Sequence, residues 1–323
     1  MGGLRILVWH LHPSWMDAFV RGEHEYLLPT LPDGGPWGGG RRGRNWPDSV
    51  REVPVPELAG TDVDVVVLQR PEEMVVAGRW LRRSIGKDVP AVYVEHNTPR
   101  GPTPDARHPM ADRQDVWLVH VTHFNELMWD AGTTPTTVIE HGIVDPGYRY
   151  GGDLSRAAVV INEPVRHWRG TGTDLLPRLA EGIELDVFGT GLEGLNEAVG
   201  LGEMRMTPVG QLRTEALHDA MAKRRVYLHP IRWTSLGRPL IEAMQLGMPV
   251  VALASTEVPR AVPPEAGVVS TQIDDLTAAL RDLAGDHPKA TQLGKNAREF
   301  ALTRYGLETF LDRWDCLLRH VAR

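Results

Sequence analysis

Short apolar runs recur along this chain in two successive series, and that recurrence limits the fold more than any other feature. LRILVWH (4–10), VDVVVLQ (63–69), VPAVYVEH (89–96), WLVHVTH (117–123) and TTVIEHG (136–142) make the first series. AAVVIN (157–162), IELDVFG (183–189), RRVYLHP (224–230), MPVVALA (248–254) and AGVVST (266–271) make the second. Each run is short, bounded by turn formers and separated from the next by helical or loop stretches. Strands that read as unbroken apolar runs are covered on both faces, which is the condition of a parallel sheet between two layers of helix. The chain is therefore expected to be α/β, with two Rossmann-like doubly wound domains. Between the series lies DPGYRYGGDLSR (145–156), whose glycine and polar content suits a linker, so the domains are expected at 1–150 and 151–300. A length of 323 residues agrees, because one core rarely grows past about 300. The segment from Lys295 onward reads as helical, with Phe300, Leu307, Phe310, Leu311, Trp314 and Leu317 broadly at helical spacing, and 301–323 is taken as a final helix.

Composition removes several function classes. The net charge is −7 and the 35 basic residues are scattered apart from GGGRRGRNW (38–46), which argues against a nucleic-acid partner. No apolar run reaches the roughly 20 residues of a membrane span, and MGGLRILVWH enters a strand without the layout of a signal peptide, so a soluble cytoplasmic protein is expected. A single cysteine, Cys316, excludes an internal disulfide and a cysteine-based zinc site. The histidines are many but lack HExxH or other compact ligand spacing, so no metal is expected.

Two long loops stand out in the first half. GGPWGGGRRGRNWPD (34–48) is too glycine-rich for a core element and is expected on the surface, either as a solvated excursion or as a loop that closes over a substrate. HNTPRGPTPDARHP (96–109) follows the end of a strand, where open α/β sheets bind ligands.

The chemistry concentrates in the second half. In TSLGRPLIEAMQLGMPVV (234–251) a glycine-containing loop opens a helix, with Ser235 as the expected N-cap and Gly237 allowing close backbone approach to a ligand. Free amides at a helix start attract phosphate or sugar hydroxyls. Glu242 lies about a turn and a half into that helix among apolar neighbours; a carboxylate there needs partners and can accept two hydrogen bonds from a vicinal diol such as ribose. In NEPVRHWRGTGTDLL (162–176), Arg166 and Arg169 precede a Gly-Thr-Gly turn beginning at Gly170, an arrangement able to neutralise a diphosphate. DVFGTG (186–191) puts Gly189 and Gly191 at another strand end, where no side chain would obstruct a nucleotide. In the first half His10, His12, Ser14 and Trp15 follow the first strand, with Trp15 offering a flat apolar face for a sugar ring. His96 closes a strand beside Glu95 and Asn97, either as a site residue that they orient or as a core histidine bonded to backbone.

Taken in order, these residues resemble the GT-B glycosyltransferases of the retaining family 4 type, over most of the chain and most clearly in its second half. RHWRGTGTDLL resembles the family's diphosphate segment, DVFGTG its glycine turn, VGQL (209–212, with Gly210 and Leu212) the loop that frames the nucleobase, and VIEHGIVDP (138–146) the end of its acceptor domain. SLGRPLIEAMQLGMPVVA resembles its Glu-x7-Glu signature, and GKNAREFALTRYGLETFLDRW its last helix, which crosses back to the first domain. The resemblance implies two domains facing a central cleft and a UDP- or GDP-sugar as co-substrate, with no tightly bound cofactor. It implies Glu242 on the ribose, Ser235, Leu236 and Gly237 on the donor, and His96 near the transferred sugar, with retention of configuration. The chain departs from the pattern at Thr234, where the signature's first glutamate would stand, and at HLHPSWMDAF (10–19), which replaces the usual glycine-rich loop. Threonine keeps a hydrogen-bonding hydroxyl and brings no charge. Two alternatives stay open beside a transferase: a sugar-nucleotide-binding scaffold with this fold, and a sugar-nucleotide epimerase. Donor sugar, acceptor and oligomeric state are not assigned.

Overall fold

The computed structural model describes residues 2–100 and 106–323. The middle of the loop 96–109, residues 101–105, therefore lies outside the described residues. The chain divides into two compact units, one of Met1–Val144 with Leu307–Arg323 and the other of Asp145–Gly306.

The first unit is built on seven strands: β1 (Arg5–Val8), β2 (Glu25–Thr30), β3 (Val50–Pro54), β4 (Val65–Leu68), β5 (Ala91–Glu95), β6 (Val116–His120) and β7 (Thr136–Val138). They lie in the order β3-β2-β1-β4-β5-β6-β7, every neighbouring pair parallel. The chain winds outward from β1 to β3, then returns to the other side of β1 with β4, so the strand order reverses between β1 and β4. Two strands escaped the apolar-run reading. EYLLPT carries a proline, and VREVP is an edge strand that buries only Val50 and Val53, which blurs the signal that buried central strands give.

One face of this sheet is covered by the helix Pro13–Phe19 and by the last helix, Leu307–Val321. Trp15, Phe19, Phe310, Trp314, Leu317 and Leu318 enter one cluster with Ile6, Val8, Val65 and Val92. The rings of Trp314 and Phe19 meet edge to face at 5.1 Å, a geometry that adds to the gain from burial. Gly142 is required where the chain passes Phe310, since a Cβ there would lie 2.4 Å from that side chain.

The glycine-rich segment 34–48 is not a solvated excursion. Trp46 is buried in the core cluster and donates from Nε1 to Asp17 Oδ1 at 2.8 Å. Arg44 reaches the other oxygen of Asp17 at 3.0 Å, and Arg41 donates to the carbonyls of Trp46, Pro47 and Val50. Gly39 bridges Thr30, while Trp37 lies under the Arg70 guanidinium at 4.0 Å. Glycine content hid a folded-down segment whose arginines serve as internal braces.

The second unit contains β8 (Leu154–Val160), β9 (Glu184–Phe188), β10 (Met206–Gly210), β11 (Arg224–His229), β12 (Val250–Leu253) and β13 (Gly267–Ser270). The order is β10-β9-β8-β11-β12-β13, again all parallel, with the reversal between β8 and β11. The edge strand β10, with Pro208, was missed for the same reason as β3. The helix Arg238–Leu246 buries every side chain from Leu240 to Leu246 and ends at Gly247, whose φ of 91° is the left-handed stop that glycine tolerates best. The long helix His287–Tyr305 packs closely on this turn: a Cβ on Gly294 would meet the Gly247 carbonyl oxygen at 1.9 Å. Arg298 on the same helix holds both Asp145 oxygens, at 2.8 and 2.7 Å.

Candidate functional site

In a doubly wound sheet, ligands sit beyond the carboxyl ends of the strands where the order reverses. In the second unit that position belongs to the loops after β8 and β11, and they are tied to one another. The amides of Arg232 and Trp233 donate to the Gly170 carbonyl at 2.9 and 3.2 Å. Arg232 Nη1 donates to the Arg169 carbonyl at 2.9 Å, and its guanidinium clasps Asp174 at 2.5 and 3.0 Å. Arg169 reaches Asp174 at 3.0 Å with an otherwise exposed side chain. Gly172, at φ 74°, lets the first loop press on the second, since a Cβ there would stand 2.0 Å from the Pro230 carbonyl oxygen. Two neighbours in the first loop also carry positive φ: Glu163 (51°) and Trp168 (31°). Positive φ at residues other than glycine costs roughly 1–3 kcal/mol each and persists where surroundings over-determine it.

The start of the helix Arg238–Leu246 differs from the sequence expectation. Its N-cap is Gly237, not Ser235, and no side chain caps it. Ser235 lies buried two residues upstream. Gly237 is needed because a Cβ would fall 2.8 Å from His229 Cε1. His229 ends β11 wholly buried, with no partner for either ring nitrogen among the described residues, and burial lowers its pKa to about 4. Leaving such a group uncharged is the way a buried imidazole avoids the cost of an unpaired ion.

Glu242 is 9% exposed and has the partners that an ion in that setting requires. Oε1 accepts from Arg238 Nη2 at 3.0 Å, and His218 Nε2 stands 3.5 Å from Oε2, an ion-pair distance longer than a good hydrogen bond. Burial works against the charge, yet His218 and the Arg238 guanidinium outweigh it and hold the carboxyl below its usual value. The glycines of the neighbouring strand ends meet: the Gly189 amide donates to the Gly210 carbonyl at 3.1 Å. Gly189 (φ 134°) would place a Cβ 1.9 Å from the Ile161 carbonyl oxygen, so glycine is obligatory there.

In the first unit the corresponding strand ends gather aromatic and imidazole rings. His96 follows β5, stacks on His12 with centroids 3.9 Å apart, and receives the edge of Trp15 at 5.3 Å. Gln69 Nε2 donates to the Trp9 carbonyl at 2.8 Å, which leaves Gln69 Oε1 to accept from His96 Nε2 at 3.1 Å. That bond assigns the His96 proton to Nε2 and keeps the Nδ1 lone pair free of it. Burial, with His12 and His141 nearby, holds the His96 pKa well below the ordinary value, so the ring is neutral.

Glu95 does not orient His96. Its Oε1 accepts from the Asn97 amide at 2.6 Å and its Oε2 from His108 Nε2 at 3.1 Å, while His108 Nδ1 accepts from the Met110 amide. Asn97 turns its side chain outward and uses its carbonyl to accept from Trp129 Nε1 at 2.8 Å. Trp15 is 3% exposed and packs on Phe19 at 4.4 Å, so no face of it is open to a sugar ring. Ser14 is exposed and His12 half-buried. Among the described residues no group of three or more His, Cys, Asp or Glu is placed to hold a metal ion, and no helix is long and apolar enough to cross a membrane.

Residues 175–300 match the family model described as glycosyl transferases group 1. The chain carries a glycosyl transferases group 1 domain. Solved structures agree over its whole length. HepE of Anabaena, solved in complex with UDP, superposes with a TM-score of 0.74 at 16% identity, covering 99% of this chain and 100% of that one. Sucrose-phosphate synthase of Thermosynechococcus elongatus gives 0.72 at 17% identity, covering 98% of each chain. A glycosyltransferase of Rickettsia africae gives 0.73 at 11%, covering all of both. At such identities the agreement is one of fold, and that fold is GT-B. No curated protein is similar enough in sequence to count as a match. The family match is confined to residues 175–300, and the likeness of the whole chain to these structures is one of fold.

Within this fold the residues singled out from sequence fall into two groups. Arg169, Gly170 and the loop carrying Thr234 are joined through backbone, and Gly189 meets Gly210 at the ends of β9 and β10. Arg166 is exposed in the short helix Pro164–His167 after β8, Gly191 follows β9 at φ 63°, and Leu212 lies just past β10. Leu236 is buried and Thr234 half-buried. Sequence reasoning passed over Asp174, Arg232, Arg238 and His218, which brace these residues, and His108, which holds Glu95. Arg232 and Arg238 had a readable signal, since they flank the very loop that was singled out.

Proposed function

We propose that the protein transfers a sugar from a UDP- or GDP-sugar to an acceptor hydroxyl, independently of metal and with retention of configuration. The observation that carries this reading is Glu242, an ionised and nearly buried carboxylate braced by Arg238 and His218 on the helix that starts beside the strand-order reversal of the second unit. Such a group suits the two ribose hydroxyls of a nucleotide, with Gly210 and Leu212 toward the base. HepE, solved in complex with UDP and with UDP-glucose, supports the same donor class.

In the transfer, the acceptor oxygen bonds to the anomeric carbon as the bond from that carbon to the diphosphate oxygen breaks. The diphosphate leaves with the electron pair from the face that the acceptor enters, as retention requires, and its departing oxygen takes up the proton of the acceptor hydroxyl. Cationic side chains and helix-start amides stabilise the departing charge, the largest kind of catalytic contribution available without covalent chemistry. Arg166, Arg169, Gly170 and the Ser235–Gly237 backbone are assigned to the diphosphate. Thr234 meets the donor sugar through its hydroxyl alone. Neutral His96, with Nε2 committed to Gln69, presents Nδ1 as an acceptor for a sugar hydroxyl, and Glu95 acts as a positioning residue through His108 and Asn97. His12 and Ser14 belong to the acceptor side, whereas buried Trp15 supports His96 from below.

Glu242→Ala tests the reading. Loss of a charged hydrogen bond should weaken binding of UDP or GDP by roughly 1.5–3 kcal/mol in calorimetry, and an unchanged affinity removes Glu242 from the ribose. The uncharged Thr234 favours a second reading, a sugar-nucleotide binder without transfer. Product analysis of the donor incubated alone and with acceptor panels separates the readings: slow hydrolysis or transfer supports the enzyme, epimerised donor supports an epimerase, and unchanged donor supports the binder.

A further inference from the structure

Arg238 holds more hydrogen-bonding capacity than its surroundings use. A guanidinium carries five N–H donors in a fixed plane. In this protein Nη2 donates to Glu242 at 3.0 Å, whereas Nε and Nη1 are buried and find no partner among the described residues. The side chain is 22% exposed, so the whole group stands at the edge of the site rather than in open water. Leaving buried donors of a charged group unmatched is costly, and proteins rarely do so without a ligand or ordered water. The position matters equally. Arg238 is the first residue of its helix, directly after the uncapped Gly237 and beside the strand-order reversal. The arginines assigned to the diphosphate from sequence differ in state: Arg166 is exposed, and Arg169 is exposed while already paired with Asp174.

We infer that Arg238 is a donor-binding residue, taking through Nε and Nη1 an anionic oxygen of the nucleotide sugar, from its diphosphate or from the carboxylate of an acidic sugar. The inference rests on the donor-site reading of Glu242 and deepens it: one side chain bridges the acid that holds the ribose and the anion beyond it. Arginine suits this double duty because its planar donors serve two oxygens in different directions at once.

Calorimetry with uridine, UDP, UDP-glucose and UDP-glucuronic acid, and the guanine counterparts, tests it on the full chain and on Arg238→Met and Arg238→Lys. Removing a charge-assisted contact should weaken the charged ligand by about ten- to a hundredfold. If the oxygen is on the diphosphate, Arg238→Met weakens UDP and every UDP-sugar alike, and by clearly more than uridine, which loses only what the unbraced Glu242 costs at the ribose. If it is on the sugar, the loss appears with UDP-glucuronic acid alone. Arg238→Lys, which keeps the charge, should recover part of either loss and serves as the readout if the methionine variant fails to fold. Equal losses for uridine and UDP would overturn the inference and leave Arg238 as a brace for Glu242. So would unchanged affinities throughout. A wild-type protein that binds none of these probes refutes the donor-site reading itself, a different result from tight wild-type binding that Arg238→Met leaves intact.

Discussion

His229 makes the second unit sensitive to acid, and the effect can be worked from its burial. The ring is wholly enclosed, neither nitrogen has a partner among the described residues, and its pKa in the fold is about 4 against an ordinary value of 6.5. In the unfolded chain it takes up a proton below about pH 6.5, whereas in the fold it stays neutral until about pH 4, so protons favour unfolding between those limits. Its contribution is complete above 6.5 and is lost as the pH falls. The difference of roughly 2.5 units caps the loss at about 3.4 kcal/mol, and at about pH 5 it comes to about 2 kcal/mol. The loss would be felt at the site, because His229 lies against Gly237, where the helix of Glu242 begins. Urea unfolding at about pH 7 and about pH 5, read by hydrogen exchange of peptides from β11, measures it. His229→Gln, which cannot titrate, should be less stable at neutral pH and flatter across the interval, and His229→Phe serves if the glutamine variant does not fold. Equal losses in wild type and variant between the two pH values would refute the reasoning, since the other histidines are common to both.

Two further outcomes follow from packing. Gly172→Ala places a methyl 2.0 Å from the Pro230 carbonyl oxygen at a left-handed φ, so the loops after β8 and β11 must separate; the melting temperature should drop and UDP affinity with it, at a cost of at least about 2 kcal/mol, and an unchanged melt and affinity would contradict the clamp. Trp46→Ala removes a buried ring from the first core and leaves Asp17 Oδ1 without its indole donor, which should cost about 3–5 kcal/mol by urea unfolding, while Trp46→Phe should cost much less; a near-neutral alanine variant would return the segment 34–48 to the solvated class.

What could be read in advance depended on whether a residue's role is periodic or relational. Central strands such as VVVL of β4 are buried on both faces and announce themselves as apolar runs, and Gly189 and Gly247 sit at positive φ in turns that their neighbours advertise. Edge strands β3 and β10 share neither property, and both were missed. Glu242 was legible because an acid among LIEAM has few ways to be stable. Its partners were not: Arg238 lies one helical turn away and could be read as a surface cation, and His218 comes from a helix of its own, Thr214–Ala222. The same limit explains Trp15 and Glu95, whose positions after strands suggested open site residues, while their contacts with Phe19 and His108 come from packing that spacing does not encode.

The braces also bear on how the proposed transfer would proceed with Thr234 in place of a signature acid. A carboxylate there would be a second negative charge in the loop that leads into Arg238 and Glu242. With threonine in its place, Arg238 has one acid to serve and two nitrogens left over. The Asp174 clasp on Arg232, beside the Arg169 contact, fixes the backbone of the same loop by bonds that a donor sugar need not supply. The loop is thus preorganised, and under the proposed function the energy of donor binding would not be used to order it. A loop held by Asp174 and a cation held by Glu242 are two separate constraints, which is why the Gly172 and Arg238 variants should fail differently: the first through stability and every ligand together, the second most strongly through the charged ligands.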